Sequence, residues 1–376
     1  MNQLSAAIEM LRPAKVLFGF RQIETLQACL TEAGCRRVLV VSDAFNATRI
    51  DVLGLAEAPA VFGTIQPEPD VTNLEQLVSE ARRFRPDAIV GFGGGSAMDC
   101  AKLAAVLADN QLAIRDIAGK ENAPKRRCLL IQVPTTAGTG SEAGTRALVT
   151  DPDTLNKIAV ESRHMLADIA IIDPLLTVSV PGIVTAATGV DALAHCVEAL
   201  TSKKAHPIID AYALEGIKLI GRYLKRAIAD GEDIEARSGL ALGSFYGGIC
   251  LGPVNTTAGH AVAYPLGTRY KIAHGAANAL IFPHTLAFNA PACGLKTRQV
   301  CTALGLEETE DQEQVFRQAY DFCKSIGLQM TLSGYNVAKE DLSMMADEAF
   351  AIRRLLDNNP REISRNDILE IYETAF

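Results

Sequence analysis

The sequence lacks the features that mark membrane, secreted and nucleic-acid-binding proteins. Of its 376 residues, 36 are Lys or Arg and 44 are Asp or Glu, so its net charge of −8 offers no basic excess for binding nucleic acid. No apolar run reaches the length that spans a bilayer, and the first residues lack the basic start and apolar core of a signal peptide. The nine cysteines are scattered without paired CxxC spacing, which argues against a disulfide framework or a zinc knuckle. We therefore expect a cytoplasmic protein.

What is present is an ordinary globular composition, 48% hydrophobic and 21% charged, in a chain long enough for two domains. Up to about Pro181, short β-branched runs alternate with helical stretches, which predicts a mostly parallel, doubly wound sheet. Beyond Pro181 the chain shows long Ala-, Leu- and Ile-rich segments with helical periodicity. We predict a Rossmann-like α/β domain over residues 1–181 that binds a dinucleotide, followed by an all-α, metal-binding domain over residues 182–376. The predicted strands lie near Val16, Val38, Val61, Ile89, Leu130 and Ile171.

A glycine-rich turn follows one of these strands, in DAIVGFGGGSAMDCAK. Successive glycines let backbone N–H groups approach a phosphate, and the start of a helix adds a favourable dipole. Ser96 is placed to cap that helix. Tight turns use the same residues, but a strand, a turn and a helix can all be recognised here. We interpret the segment as a nucleotide-phosphate site whose candidate residues are Gly93, Gly94, Gly95, Ser96 and Asp99.

A second polar loop, VPTTAGTGSEAGT, follows the apolar strand that ends at Val133. Such a composition is also common in flexible surface loops. After a buried strand of an α/β pattern, however, we expect the loop at the carboxyl end of the strand, where ligands bind. Its hydroxyl groups suit a ribose or an amide, and the candidate residues are Thr135, Thr136, Thr139 and Ser141.

The choice of cofactor is argued from Asp43, which ends the early strand RVLVVSD. A carboxylate there can accept hydrogen bonds from an adenosine ribose and repels a 2′-phosphate, which favours NAD over NADP. The alternative is that Asp43 only caps the following turn, a position where Asp is common.

Three of the six histidines lie in short apolar segments, one of which also holds an aspartate. Asp191 and His195, in GVDALAHCVEAL, are one helical turn apart and leave the same face of the helix. Together they can offer one oxygen and one nitrogen to a divalent ion, and His260 and His274 could complete the set. Each histidine taken alone could be a hydrogen-bonded core residue. As a group beside a nucleotide-binding signature, they predict a metal site.

These segments, in chain order, resemble the motifs of the iron-containing (group III) alcohol dehydrogenase family along nearly the whole chain. The segments are GGGSAMDCAK, PTTAGTGSE, AATGVDALAHCVEA, GHAVAYPLG and AHGAANA. The resemblance implies a nicotinamide-dependent alcohol dehydrogenase or aldehyde reductase, a homodimer, with one ion, Fe(II) or alternatively Zn(II). It implies that Asp191, His195, His260 and His274 hold the ion, that the glycine turn binds the pyrophosphate, and that the threonine loop lies beside the nicotinamide. It also implies that Lys157 approaches the cofactor ribose.

The chain departs from the family at Tyr264, where members usually have a histidine thought to relay the alcohol proton. A tyrosine hydroxyl can donate and accept a hydrogen bond, although it holds its proton more tightly than an imidazolium. We expect either that Tyr264 relays or orients that proton, or that protons leave through water, and we count His274 as a catalytic residue as well as a ligand. The departure widens the candidate substrates toward those of the more divergent family members.

Two positive charges, Arg269 and Lys271, stand between two predicted ligands, where simple-alcohol members tend to have apolar or acidic residues. They could attract a carboxylate or phosphonate on a small hydroxy acid or semialdehyde, or they could be solvated loop residues. Three alternative functions remain open at this point. They are a metal-free enzyme similar to maleylacetate reductases, an enzyme similar to hydroxyacid-oxoacid transhydrogenases, and a non-catalytic nucleotide sensor.

Overall fold

The computed structural model describes residues 5–154 and 156–376, which fall into two compact units with cores of their own. Residues 11–136, 140–154 and 156–179 form the first, here named the α/β unit. Residues 5–10, 137–139 and 180–376 form the second, here named the helical unit. The change from alternating strands and helices to helices alone therefore falls at Val180, next to the predicted boundary at Pro181.

The α/β unit is built on a parallel sheet. Its strands are β1 Lys15–Phe18, β2 Val38–Asp43, β3 Ala60–Ile65, β4 Ala88–Gly93, β5 Gly119–Lys120, β6 Leu129–Pro134, β7 Arg146–Thr150, β8 Lys157–Glu161 and β9 Ile169–Ile172. Six of them form one sheet in the order β1-β9-β6-β4-β2-β3, with every pairing parallel. The predicted fold class is thus confirmed, and each predicted strand lies in this sheet. The sequence reading missed the small second sheet, in which β8 pairs with β5 and β7.

Both faces of the large sheet are covered, which explains why its strands are almost continuously apolar. Successive residues of a strand point to opposite faces: Val38 and Val40 belong to one buried cluster, and Leu39 and Val41 belong to another. The helices of this unit are α1 Leu26–Glu32, α2 Ala44–Ala47, α3 Val71–Phe84 and α4 Gly95–Leu107. Side chains of α1 join the first cluster, and side chains of α3 and α4 join the second.

The order of the strands reverses next to β2, which has β3 on one side and β4 on the other. In open parallel sheets, ligands bind outside the carboxyl ends of the strands at such a reversal. β2 ends at Asp43 and β4 ends at Gly93. The fold therefore brings the predicted ribose-binding carboxylate and the predicted phosphate-binding turn to the same edge of the sheet.

The helical unit contains ten α-helices within its described residues and no strand among them. They are α5 Gly182–Thr201, α6 Pro207–Ala229, α7 Ile234–Val254, α8 Ala258–Tyr270, α9 His274–Asn289, α10 Gly294–Leu304, α11 Gln312–Ser325, α12 Leu342–Phe350, α13 Arg353–Leu356 and α14 Arg365–Ala375. α5 is the central helix of this unit, since α6, α7 and α9 all pack against it.

By length and composition, α5 could cross a membrane, contrary to the expectation that no apolar run reaches that length. However, 83% of its apolar stretch is buried inside the unit, as expected of a helix at the centre of a core. Its apolar character is therefore explained by packing against the neighbouring helices.

Candidate metal and cofactor sites

Three helices of the helical unit bring the four predicted metal ligands together. Asp191 and His195 lie one turn apart on α5, His260 lies in the first turn of α8, and His274 is the first residue of α9. One possible ligand atom from each side chain lies within 4.8 Å of the others. Oδ1 of Asp191 is 3.8 Å from Nε2 of His195 and 3.6 Å from Nε2 of both His260 and His274. Ligands about 2.1 Å from a shared ion in tetrahedral geometry would be separated by roughly 3.4 Å.

The surroundings of this cluster fit a cation. Asp191, His195 and His260 are buried, and a neighbouring carboxylate, Glu198, is buried with them. No Lys or Arg forms an ion pair with Asp191 or Glu198 in the described parts of the chain. Nε2 of His260 has no hydrogen-bonding partner there. Buried carboxylates and an unpaired buried nitrogen are costly without a compensating charge, and a divalent ion would supply that charge.

Glu198 and Asn278 make hydrogen bonds that orient three of the predicted ligands. Oε1 of Glu198 lies 2.6 Å from Nδ1 of His260, which places the proton of the neutral imidazole on Nδ1 and leaves the lone pair of Nε2 free. Oε2 of Glu198 accepts hydrogen bonds from the backbone N–H and the hydroxyl of Thr257. The side-chain amide of Asn278 donates to Oδ1 of Asp191 at 2.7 Å and lies 3.1 Å from Nε2 of His274.

Burial and neighbouring charges set the protonation of the cluster. Burial lowers the pKa of His195 to about 4, so this imidazole is neutral near pH 7 and can act as a ligand. Burial opposes the charged form of His260 as well, but Glu198 and Asp191 outweigh it and raise the pKa of His260 above its usual value. Burial would raise the pKa of Asp191 and of Glu198, yet the surrounding imidazoles lower both. The carboxylates therefore remain anionic.

One side of the cluster is open. His274 has 28% of its side chain exposed, whereas the side chains of the other three ligands are 5% exposed or less. The ring of Tyr264, one turn after His260 on α8, lies 6.0 Å from the His274 ring between centroids. In the described residues the Tyr264 hydroxyl has no hydrogen-bonding partner. Tyr264, the predicted relay residue, thus lies beside the most accessible of the four predicted ligands.

Arg269 and Lys271, the two residues predicted to bind an anionic substrate, lie in surroundings that do not suit that role. Nε and Nη2 of Arg269 both donate to the carboxylate of Glu348, with Nε 2.7 Å from Oε2. The guanidinium of Arg269 is therefore already neutralised by a partner within the protein. Lys271 is an exposed residue with φ +56° that ends α8. The prediction of an anion pocket made by these two residues is not favoured, because one is occupied and the other belongs to a solvated turn.

In the α/β unit, Asp43 and the glycine turn are neighbours. An ideal Cβ on Gly93 would lie 3.0 Å from Oδ2 of Asp43 and 2.9 Å from Cβ of Ala97, so a side chain there would close the turn. Asp43 also caps α2 by accepting from the backbone N–H of Asn46, so the alternative capping role is present as well. Gly94, with no side-chain cap, is the N-cap of α4. The expectation that Ser96 caps this helix is wrong, because the helix begins at Gly95.

The remaining predicted cofactor residues have partners within the protein. Oγ of Ser141 donates to Oδ1 of Asp99 at 2.5 Å and accepts from the buried ammonium of Lys102 at 2.7 Å. This network ties the second loop to α4. The hydroxyl of Thr135 accepts from the side-chain amide of Asn46.

The last three predicted cofactor residues, Thr136, Thr139 and Lys157, each have different neighbours. Thr136 lies against the glycine turn, with Oγ1 3.5 Å from the Cβ position of Gly94. Thr139 belongs by its contacts to the helical unit. The ammonium of Lys157 binds Glu68 and the hydroxyl of Thr150.

The sequence reading missed Glu198, Asn278 and Lys102. Glu198 lies seven residues after Asp191 and Asn278 lies four residues after His274, so each continues the helical face of a predicted ligand. That spacing was the available signal. For Lys102, no sequence signal distinguishes a buried lysine from a solvated one.

Comparison with known proteins agrees with this geometry. The family model described as iron-containing alcohol dehydrogenase matches residues 13–174, and that for the C-terminal part of the same family matches residues 185–376. Long-chain-alcohol dehydrogenase 1 of Geobacillus thermodenitrificans is 35% identical, over 95% of this chain and 94% of its own length. Sulfoacetaldehyde reductase of Bilophila wadsworthia is 34% identical, over 100% of this chain and 97% of its own.

A solved structure of sulfoacetaldehyde reductase from Bifidobacterium kashiwanohense, in complex with NAD⁺, has a TM-score of 0.88 and 29% identity, covering 99% of both chains. The alternatives of a metal-free reductase, a transhydrogenase and a nucleotide sensor are not favoured, because the matches are to alcohol dehydrogenases and the metal-ligand cluster is complete. The chain belongs to the iron-containing alcohol dehydrogenase family, as an oxidoreductase that interconverts a small alcohol and its aldehyde or ketone by hydride transfer with a nicotinamide cofactor.

Proposed function

We propose that the enzyme uses NAD rather than NADP and holds Fe(II), with Zn(II) as a competent substitute, on Asp191, His195, His260 and His274. The observation that carries the metal assignment is the convergence of one carboxylate and three imidazoles on one small volume. Such a mixed set of oxygen and nitrogen donors suits either ion. Family membership favours iron.

A divalent ion held by these residues supplies Lewis acidity toward the oxygen of the alcohol or carbonyl substrate. The protein positions the groups that make this possible. Glu198 fixes the ring of His260 through Nδ1, and Asn278 fixes Asp191 and contacts His274. Because His274 is the exposed ligand, we assign the substrate to its side of the cluster.

Tyr264 is the group we assign to the proton of the alcohol. Its ring is 9% exposed and lies beside His274, and its hydroxyl has no partner in the described part of the chain. A free hydroxyl can accept a proton through a hydrogen bond and donate its own to water. Orienting the proton, rather than storing it, is the role that suits a phenol near neutral pH.

The preference for NAD is argued from Asp43, which lies at the reversal of strand order beside the glycine turn. Its carboxylate would accept hydrogen bonds from ribose hydroxyls and repel the 2′-phosphate of NADP. We assign the pyrophosphate to the turn formed by Gly93, Gly94 and Gly95 at the start of α4. The related sulfoacetaldehyde reductase whose structure contains NAD⁺ supports this choice.

The proposal is tested on protein stripped with a chelator and refilled anaerobically with Fe(II) or Zn(II). We expect reduction of NAD by 1-propanol only after refilling, and a higher kcat/KM with NAD than with NADP. The variant His260→Ala should bind less metal and stay inactive, whereas His164→Gln, which changes a histidine of the α/β unit, should behave as the unchanged enzyme. Full activity of the stripped protein would refute the metal assignment, and a preference for NADP would refute the role of Asp43.

We also propose a cytoplasmic homodimer. All nine cysteines are free thiols, as is usual in a reducing compartment. Light scattering coupled to size exclusion would test the dimer, because a monomer mass of 40.2 kDa is known from the sequence. The names of the relatives include both neutral alcohols and a sulfonated aldehyde, so the substrate class has to be decided from the residues of this chain.

A further inference from the structure

Arg354, a cation absent from the sequence-based predictions, packs against the ring of Tyr264, which in turn lies beside the exposed residue His274. The guanidinium carbon of Arg354 is 5.8 Å from the ring centroid of Tyr264, and that ring is 6.0 Å from the ring of His274. One aromatic ring is thus the common neighbour of the exposed metal ligand and of a positive charge.

This guanidinium has no acceptor of its own in the described residues, unlike the arginines around it. Arg353 pairs with Asp357, and Arg365 pairs with Asp347. Arg361 donates to the carbonyl of Phe288. Arg354 makes neither an ion pair nor a side-chain hydrogen bond there, and it is exposed.

The contact with Tyr264 holds the guanidinium without consuming its donors. A cation above an aromatic face is attracted by the ring electrons, so all five N–H groups of Arg354 remain available. A planar guanidinium with free donors matches the paired oxygens of a carboxylate, sulfonate or phosphonate. Arg269, the residue first expected in this role, already donates two guanidinium N–H groups to the carboxylate of Glu348.

We propose that Arg354 binds the anionic group of the substrate, and that the substrate is a short alcohol or aldehyde carrying a carboxylate, sulfonate or phosphonate near its reacting carbon. The inference rests on the proposed metal site, since His274 marks where the reacting carbon lies. Arg354 and His274 each lie within about 6 Å of the centre of the same ring, which limits the distance that the carbon chain of the substrate has to span. Tyr264 provides the aromatic face against which the guanidinium packs.

The test compares three anionic alcohols with a neutral one on the metal-loaded enzyme. The anionic alcohols are 3-hydroxypropanoate, 2-hydroxyethanesulfonate and 2-hydroxyethylphosphonate, and the neutral one is 1-propanol. Arg354→Gln should lower kcat/KM for the preferred anion by about 10- to 100-fold, the range for loss of a charge-assisted bidentate contact. The loss should appear mainly in KM, and 1-propanol should be affected less than about twofold.

The matched control is Arg353→Gln, which removes the neighbouring arginine of the same short helix and should leave all four substrates unaffected. Arg354→Lys keeps the positive charge but lacks the planar guanidinium that can make two parallel hydrogen bonds. It should therefore lose less kcat/KM than Arg354→Gln. The rank of the three anions in the unchanged enzyme identifies which anionic group the site prefers.

A binding measurement separates this inference from the proposed function. Ethanesulfonate and propanoate, which have no hydroxyl to oxidise, are titrated calorimetrically into the metal-loaded enzyme with NAD. Binding that weakens at least tenfold in Arg354→Gln, but not in Arg353→Gln, supports the anion site even if no alcohol is oxidised. Equal affinity in both variants, or equal loss of anionic and neutral turnover, overturns it.

Discussion

Glu198 shows how a single buried carboxylate prepares a metal ligand. It accepts hydrogen bonds from the backbone and hydroxyl of Thr257, just before the start of α8, and its other oxygen meets Nδ1 of His260 in the first turn of that helix. The same carboxylate therefore fixes both the start of the helix and the ring that the helix carries. Removing its charge should disturb the ligand more than the fold.

We expect Glu198→Gln to weaken metal binding by about 10- to 100-fold, the usual range for loss of a carboxylate that orients a ligating histidine. The amide cannot hold the proton on Nδ1 as firmly, so Nε2 becomes a poorer and less ordered donor. Competition with a chelator, followed by metal analysis, gives the dissociation constant without any assay of activity. Replacement of iron by Co(II) adds a visible spectrum that reports ligand geometry.

Thr257→Val serves as the control for this substitution, since it removes one hydrogen bond from Glu198 and leaves the carboxylate in place. We expect its metal affinity to fall much less than that of Glu198→Gln. An unchanged affinity and an unchanged Co(II) spectrum in Glu198→Gln would contradict the orienting role.

At the scale of single residues, the sequence could pick out the candidate ligands that the structure brings together, because spacing along a helix is a local property. Asp191 and His195 differ by four positions, and that spacing alone puts both on one face. The ion pair that Arg269 forms could not be predicted in the same way. Its partner Glu348 is 79 residues away in the sequence, so only the fold shows that Arg269 has a partner, whereas Arg354 has none among the described residues.

At the scale of elements, a glycine lets two helices approach closely enough to bring their ligands together. An ideal Cβ on Gly275 would lie 2.8 Å from the backbone oxygen of Ala187 and 2.9 Å from its carbonyl carbon. Gly275 follows His274 at the start of α9, and Ala187 lies on α5, one turn before Asp191. The contact between these backbones therefore fixes the distance between two ligands.

We expect Gly275→Ala to destabilise the protein by about 1–3 kcal/mol, because the methyl group meets backbone atoms that cannot rotate away. Metal affinity should fall with it, since the first turn of α9 carries His274. Gly252→Ala is the matched control: it also lies in a helix, but apart from its chain neighbours and the backbone of its own helix no atom is within 4 Å of its Cβ position. That control should change the stability by less than about 1 kcal/mol, because the helical preference of Ala is opposed by the proline that follows at Pro253.

Thermal unfolding in the presence of a chelator compares the two variants without a contribution from bound metal, and a separate chelator competition gives metal affinity. Equal stability of Gly275→Ala and Gly252→Ala would mean that α9 can move away from α5 without a loss in the free energy of unfolding. In that case the close approach would not be what fixes the site.

Helices and strands were predicted correctly where a single sequence pattern determines the local structure. The strands of the parallel sheet are apolar throughout because both faces are buried, and each was recognised from its β-branched residues. β5, β7 and β8 were not recognised, since strands of a small, partly exposed sheet such as Lys157–Glu161 mix polar and apolar residues. The start of α4 was predicted at the wrong residue, because the N-cap is Gly94 rather than the expected Ser96.

At the scale of the whole molecule, the two units carry different parts of the chemistry. The proposed metal ligands belong to the helical unit, and the glycine turn with Asp43 belongs to the α/β unit. A ligand stabilises the state to which it binds by RT ln(1 + [L]/Kd), about 2.7 kcal/mol at a hundredfold excess over Kd. Each ligand should therefore protect the elements that contact it directly.

Hydrogen exchange followed by mass spectrometry can test this division. We expect Zn(II) to slow amide exchange in α5 and in the first turns of α8 and α9, and NAD to slow it at the end of β2 and in the turn between β4 and α4. Asp191→Asn should abolish the effect of Zn(II) and retain that of NAD, because the substitution removes a ligand of the ion only. If Zn(II) protected the glycine turn but not α5, or if Asp191→Asn removed the effect of NAD at that turn, the assignment of one ligand to each unit would be wrong.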